Sequence, residues 1–213
     1  MLRFAAGLAL VLGVGLLLGY EQWLGEGLWS GAPERHLREM KERAAAPEST
    51  VPYTFADFAA LPHGGAVAEF APFERRGVSL EGYVHYSHLS SDGDYHLSVT
   101  AAPLTRWPAA SQMLTAEVTP AWQRGSSTWQ WEPLLTELES YSWTAAPWPG
   151  GPRRARISGW LMYDFQYDEP FLRNKRPRLP GSMPSRLTGW EIHPVTRIEL
   201  WDDSLQAFVE YPR

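Results

Sequence analysis

Two neighbouring stretches decide the fold class: Val78-Ser79-Leu80-Glu81-Gly82-Tyr83-Val84-His85-Tyr86, then Ser91-Asp92-Gly93-Asp94-Tyr95-His96-Leu97-Ser98-Val99. Successive side chains of a strand point to opposite faces, so apolar residues at every second position mark a strand with one buried face. Val78, Leu80, Val84 and Tyr86 fall on one face, and Ser79, Glu81, Tyr83 and His85 on the other. Asp92-Gly93 is hairpin-turn chemistry. After it Tyr95, Leu97 and Val99 alternate with Asp94, His96 and Ser98. The same period of two runs from about Ala66 to Trp201.

Outward from this hairpin, a third strand is expected at Met113 to Val118. Beyond a loop rich in Pro, Ser and Trp, Trp131 to Tyr141 reads as a helix. Pro133 sits in its first turn, and Leu134, Leu135, Leu138 and Tyr141 share a face. A fourth strand is expected over Arg156 to Phe165, with Ile157, Leu161, Tyr163 and Phe165 on one side. The fifth runs from Arg186 to Trp201, where Trp190, Ile192, Ile198 and Leu200 alternate with Glu191, His193, Arg197 and Glu199. Leu80 to Tyr83, Ile157 to Trp160 and Leu187 to Trp190 all read apolar-x-Gly-aromatic. A glycine inside a strand marks a bulge or the bend of a curling sheet. Three strands, a helix and two strands predict a mainly β chain: an OB-fold-like five-stranded barrel over residues 66–213, with one helix between strands three and four. A small β-sandwich is the alternative.

The amino-terminal part has a different texture. Residues 4–20 form an uncharged run of Leu, Val, Ala and Gly, at the short end of what spans a bilayer as a helix. Trp23 and Trp29 follow where an interfacial belt would lie, and Arg3 precedes it, placing the N-terminus on the cytoplasmic side. A cleaved signal would need small residues at the cut, but Ser30-Gly31-Ala32 is followed by Pro33 and lies far from the apolar run. Residues 1–22 are therefore read as an uncleaved membrane anchor in a bacterial cytoplasmic membrane, with the rest of the chain outside the cytoplasm. Residues 23–65 are read as a stalk with short helices. Pro33 to Arg43 carries Glu34/Arg38, Arg35/Glu39 and Glu39/Arg43 pairs four apart. Only Leu37, Met40 and Ala44 make an apolar stripe, which predicts a spacer outside the main core. Thr54-Phe55-Ala56-Asp57 has the form of a capping box, so a short helix to about Leu61 is expected.

Of the 213 residues, 19 are Lys or Arg and 24 are Asp or Glu, so the net charge is −5. This balance argues against nucleic acid as a partner, because such binding neutralises phosphates. The absence of cysteine excludes disulfides, cysteine-bound zinc and thiol nucleophiles.

Asp92-Gly93-Asp94-Tyr95-His96, Gly159-Trp160-Leu161-Met162-Tyr163-Asp164 and Glu191-Ile192-His193-Pro194-Val195 together resemble a family of uncharacterised bacterial exported OB-like domains. These have an Asp-Gly-Asp-x-His hairpin, a Gly-x-x-x-x-Asp strand and a Glu-[Ile/Leu]-His-Pro-Val close to the end. The resemblance covers roughly Val78 to Leu200. It implies a domain type and marked positions, without an activity.

Asp94 and His96 are two apart on a strand and share a side, as do Glu191 and His193. Both pairs lie on the face opposite the core, with Glu81, His85 and Asp164 at the same parity. Closure of the barrel would gather these carboxylates and imidazoles on its outer wall. Such a set suits zinc, manganese or iron, or acid-base work. It also suits a purely structural role, in which a carboxylate fixes a histidine tautomer. Arg173, Lys175, Arg176, Arg178 and Arg186 stand without an acid between the last two strands, where OB-folds grip ligands. They are candidate contacts for an anionic polymer. The tryptophans around the helix are read as packing residues, and His36 and His63 as solvated. The reading that follows is a membrane-anchored binding or interaction module of unknown ligand. The alternatives are a metal-dependent hydrolase using Asp94, His96, Glu191 and His193, or a structural partner of an envelope protein.

Overall fold

The computed structural model describes residues 32–64, 67–104, 112–138, 152–167 and 186–210. The apolar run of residues 4–20 and the basic positions Arg173, Lys175, Arg176 and Arg178 lie outside them. Among the described residues, no helix is long and apolar enough to cross a membrane.

Among the described residues seven strands form one sheet: β1 Thr50–Tyr53, β2 Gly77–Leu89, β3 Tyr95–Thr100, β4 Leu114–Val118, β5 Arg153–Tyr163, β6 Trp190–Asp202 and β7 Ala207–Glu210. The order β2-β3-β4-β6-β5 returns to β2 through an antiparallel β2–β5 pairing, so five strands close into a barrel. β4 and β6 are the one parallel seam within that ring, with Ala116 opposite Ile192. The short β1 adds parallel to β2, and β7 folds back on β6 as a hairpin. The expected closed barrel is therefore present, and β1 and β7 extend its sheet.

The barrel interior is filled from alternate positions of four strands: Val78, Leu80 and Val84 of β2; Tyr95, Leu97 and Val99 of β3; Leu114, Ala116 and Val118 of β4; Ile157 and Leu161 of β5. In β6 the inward residues Ile192, Val195 and Ile198 are three apart, because the β5–β6 register shifts beside them. Two strand glycines sit where backbones approach closely. A Cβ on Gly82 would lie 2.8 Å from Thr100 O, and one on Gly159 would lie 2.3 Å from Pro194 O. The β5–β6 register shifts on both sides of Gly159, as expected where a sheet bends sharply.

One parity expectation fails at a bulge. Val84 pairs with Val99, yet Tyr86, not His85, pairs with Ser98. The extra residue turns the alternation by one, so Tyr86 leaves the interior and stacks on His88 at 4.9 Å. Ser87 moves inward, where it accepts a hydrogen bond from Tyr95 Oη and donates to Leu138 O.

The helices are α1 Ala32–Lys41, α2 Phe55–Ala59, α3 Val67–Glu74, α4 Pro120–Gly125 and α5 Trp131–Leu138. Thr54 caps α2 as its sequence foretells: the Thr54 hydroxyl accepts from Asp57 N, and Thr54 N donates to Asp57 Oδ2. Its Phe58 is fully buried in the core. Residues 67–74, expected as the start of the strand pattern, are helical instead. Phe70 and Phe73 are three apart and pack on Trp190, at 5.5 and 5.8 Å, which rewards a helical spacing. Between β4 and β5, α5 buries Leu134 and Leu138, while Trp122 and Trp129 are buried beside it, in keeping with the packing reading. Trp107, Trp143 and Trp148 fall outside the described residues.

The segment read as a spacer lies on the barrel over its described part. Leu37 of α1 is buried, His36 Nε2 is 2.6 Å from the buried Glu74, and Trp122 and Trp160 donate from their indoles to Arg43 O and Ala45 O. His36 is thus engaged rather than solvated, because α1 crosses the barrel wall instead of standing clear of it.

Candidate functional site

The outer wall of β3, β4 and β6 carries the charged centre. Register places it there: His88 of β2 is opposite His96 of β3, which is opposite Glu117 of β4. Glu117 shares the parity of Thr115, away from the interior residues Leu114, Ala116 and Val118. Across the parallel seam come Glu191 and His193 of β6. Asp94, just before β3, joins from the hairpin loop. The four residues expected to gather, Asp94, His96, Glu191 and His193, do so.

The contacts are short and mutual. His193 Nδ1 lies 3.1 Å from Glu191 Oε1 and 3.1 Å from Glu117 Oε2. Of these two oxygens, Glu191 Oε1 is the one aligned for a hydrogen bond with Nδ1. On the other side of the ring, His193 Nε2 is 3.4 Å from Asp94 Oδ2. His96 Nδ1 is 3.2 Å from Glu117 Oε1, and Arg186 donates to that oxygen at 3.1 Å and also to Glu191 Oε2. Lys41, at the end of α1, approaches Asp94 at 3.7 Å and Asp92 at 3.6 Å.

This wall was expected to be an outer surface, yet Glu191 and His193 are fully buried and Glu117 is 1% exposed. The last turn of α1 lies over it, and the guanidinium of Arg186 stacks 3.7 Å from the ring centre of Tyr167. Arg186, grouped by sequence with a basic loop read as a contact for an anionic polymer, is instead tied into this centre because two buried carboxylates need a counter-charge.

Burial and pairing set the ionisation of each group. Burial works against the charged form of His193, but Glu117 and Glu191 beside it prevail and raise its imidazole to about 9. Burial likewise opposes ionised Glu117, and the charges of His193 and His96 overcome it, holding this carboxyl well below its usual range. Asp94 is pushed up to about 6 by burial, with His193 and Lys41 pulling the other way. Asp164 also rises to about 6, from burial and the charge of Glu191. His96 is lowered by burial despite Glu117, and His88 by burial and by His96, whose ring centre is 4.9 Å away.

Two residues of matching parity stay apart. Glu81 is half exposed and pairs with Arg156 at 2.8 Å. His85, displaced by the bulge, accepts from Leu104 N at 3.3 Å. Glu117, Lys41 and His88 belong to the centre and are not among the residues that the sequence marks. For Glu117 the signal existed: it is the lone charge in an apolar strand, at the polar parity. For His88 the bulge hid the parity.

Chemically, the arrangement sets a buried imidazole among carboxylates and presents donor atoms of the kind that ligate divalent cations. Comparison of the chain with models of protein families, with curated proteins and with solved structures finds no match in any of the three.

Proposed function

We propose that the chain is a membrane-anchored, extracytoplasmic binding module built on an OB-fold. The strand order, with small helices between the third and fourth barrel strands, supports that fold name. The observation that carries the functional reading is the place of the charged centre. It lies on the wall of the second and third barrel strands, between the hairpin after the first and the connection before the last, which is the face OB-folds use for ligands. Residues 4–20, with Arg3 before them and Trp23 and Trp29 after, support the anchor and its orientation. Arg173, Lys175, Arg176 and Arg178 in the last connection suit an anionic polymer of the envelope. A binding role is preferred to hydrolysis because Glu191, His193 and Glu117 are buried and engaged with one another rather than turned toward a substrate.

The test uses the full chain in its membrane. It should stay in the pellet after alkaline carbonate washing and be digested by protease added to the extracytoplasmic side. Release by carbonate, or protection until the membrane is broken, would refute the anchored placement. For the ligand class, detergent-solubilised chain should be held by a dextran sulfate matrix and elute at lower salt when Arg173, Arg176 and Arg178 are changed to Gln. Equal elution of the two forms would remove the anionic polymer.

A further inference from the structure

We infer that Asp94, Glu117 and His193 form a site for one divalent cation of the zinc, manganese or iron type. The inference goes beyond the binding-module reading and does not depend on the anchor. One donor atom from each of the three lies within 4.8 Å of the others, and all three residues are buried.

Proximity of acids and a histidine would not suffice; the directions of the atoms add the second observation. His193 Nδ1 is aligned on Glu191 Oε1, a contact that fixes the ring with Nε2 facing Asp94. Nε2 makes no hydrogen bond, although the residue is fully buried. Glu117 is held through Oε1 by Arg186 and His96, while its buried Oε2 lies 3.1 Å from His193 Nδ1 without an aligned hydrogen bond. The 3.4 Å between His193 Nε2 and Asp94 Oδ2 is too poorly aligned for a hydrogen bond. Two donors each ~2.0–2.1 Å from a tetrahedral ion stand about 3.4 Å apart, so this separation is the one an ion would impose.

Two of the proposed ligands are also oriented by a group that is not itself a ligand: Glu191 for His193 and Arg186 for Glu117. Metal sites are built this way, with a carboxylate behind the ligating imidazole. One imidazole and two carboxylates, with no sulfur, favour zinc, manganese or iron over copper(I). Calcium, which takes six to eight oxygens, is disfavoured. Without an ion, a proton on Nε2 occupies the same position. Lys41, 30% exposed and 3.7 Å from Asp94, is a competing cation at the rim.

The experiment takes full-length chain in detergent, stripped with a chelator, and measures bound Zn²⁺ and, separately, Mn²⁺ by equilibrium dialysis and elemental analysis. One equivalent should bind. Asp94→Asn and Glu117→Gln should weaken it about tenfold or more, and Glu191→Gln by roughly 10–100-fold, as for a residue that positions a ligand. Lys41→Ala should tighten binding several-fold, and Glu81→Gln should leave it unchanged. The site is refuted if no saturable equivalent binds. It is equally refuted if folded Asp94→Asn binds as the parent does, or if Lys41→Ala binds no more tightly. Should both ligand variants fail to fold, Lys41→Ala and the spin-echo signal of bound Mn²⁺ decide: absence of a coupled imidazole nitrogen overturns the assignment.

Discussion

At the scale of single residues, Arg186 is the counter-charge on which the buried carboxylates depend. It touches both Glu117 and Glu191 and is 9% exposed. Removing one partner of a buried ion pair strands the other, at a cost of ~3–5 kcal/mol. Arg186→Met should therefore lower urea-unfolding stability by about that amount, and adding Glu191→Gln should restore part of it. A loss below ~1 kcal/mol would mean that water, not the guanidinium, satisfies these acids. His193 gives the pH dependence. Its imidazole sits near 9 in the folded chain against 6.5 when unfolded, so its contribution is complete below pH 6.5 and is lost as pH rises through 9. Melting temperature measured with a chelator present should fall over that interval. His193→Gln should start lower and be flat there. Asp94 and His96 were legible from their spacing in the sequence. Glu117 has the right parity, but its role shows only when the fold brings Asp94 and His193 beside it. Arg186 was misplaced because a basic loop gives no sign that one of its cations turns inward.

At the scale of elements, strand existence was readable and face assignment was less so. Alternation identified the five barrel strands because each has one side in a dry interior. It misassigned Tyr86, since a bulge inserts a residue without any mark in the periodicity. The helix α3 was missed because Phe70 and Phe73 reward helical spacing only against Trp190, which lies far along the chain. Of the apolar-x-Gly-aromatic glycines, Gly159 marks a bend and Gly82 a close approach, and Gly159 and the unrelated Gly125 make opposite predictions. Gly159→Ala puts a methyl 2.3 Å from Pro194 O, a backbone atom held by the sheet, and should cost ~1–3 kcal/mol or more. Gly125→Ala, with nothing within 4 Å at the end of α4, should be neutral or stabilise by up to ~1 kcal/mol. Parallel chemical denaturation curves of the two variants check both; equal midpoints would contradict the close approach of β5 and β6.

At the scale of the whole molecule, closure rests on two unequal joins. The β2–β5 pairing runs over eight residue pairs, from Gly77 opposite Trp160 to Val84 opposite Arg153. The β4–β6 seam is registered only at Ala116 and Ile192. Amide protection follows the local opening free energy, so β4 amides facing β6 should exchange faster than amides of β2 facing β5. Uniform protection around the barrel would show that the charged centre clamps the seam more firmly than its few backbone bonds imply.

The docking of residues 32–49 has an optical consequence. Two indoles from separate elements, Trp122 of α4 and Trp160 of β5, hold carbonyls only two residues apart, and the guanidinium of Arg43 lies 4.9 Å from the Trp160 ring. When that segment lifts away, both rings exchange a fixed acceptor for water and one loses its neighbouring cation. Their emission must then move to longer wavelength while the barrel stays folded. The protein thus carries its own fluorescent gauge of whether its amino-terminal arm is closed over the charged centre.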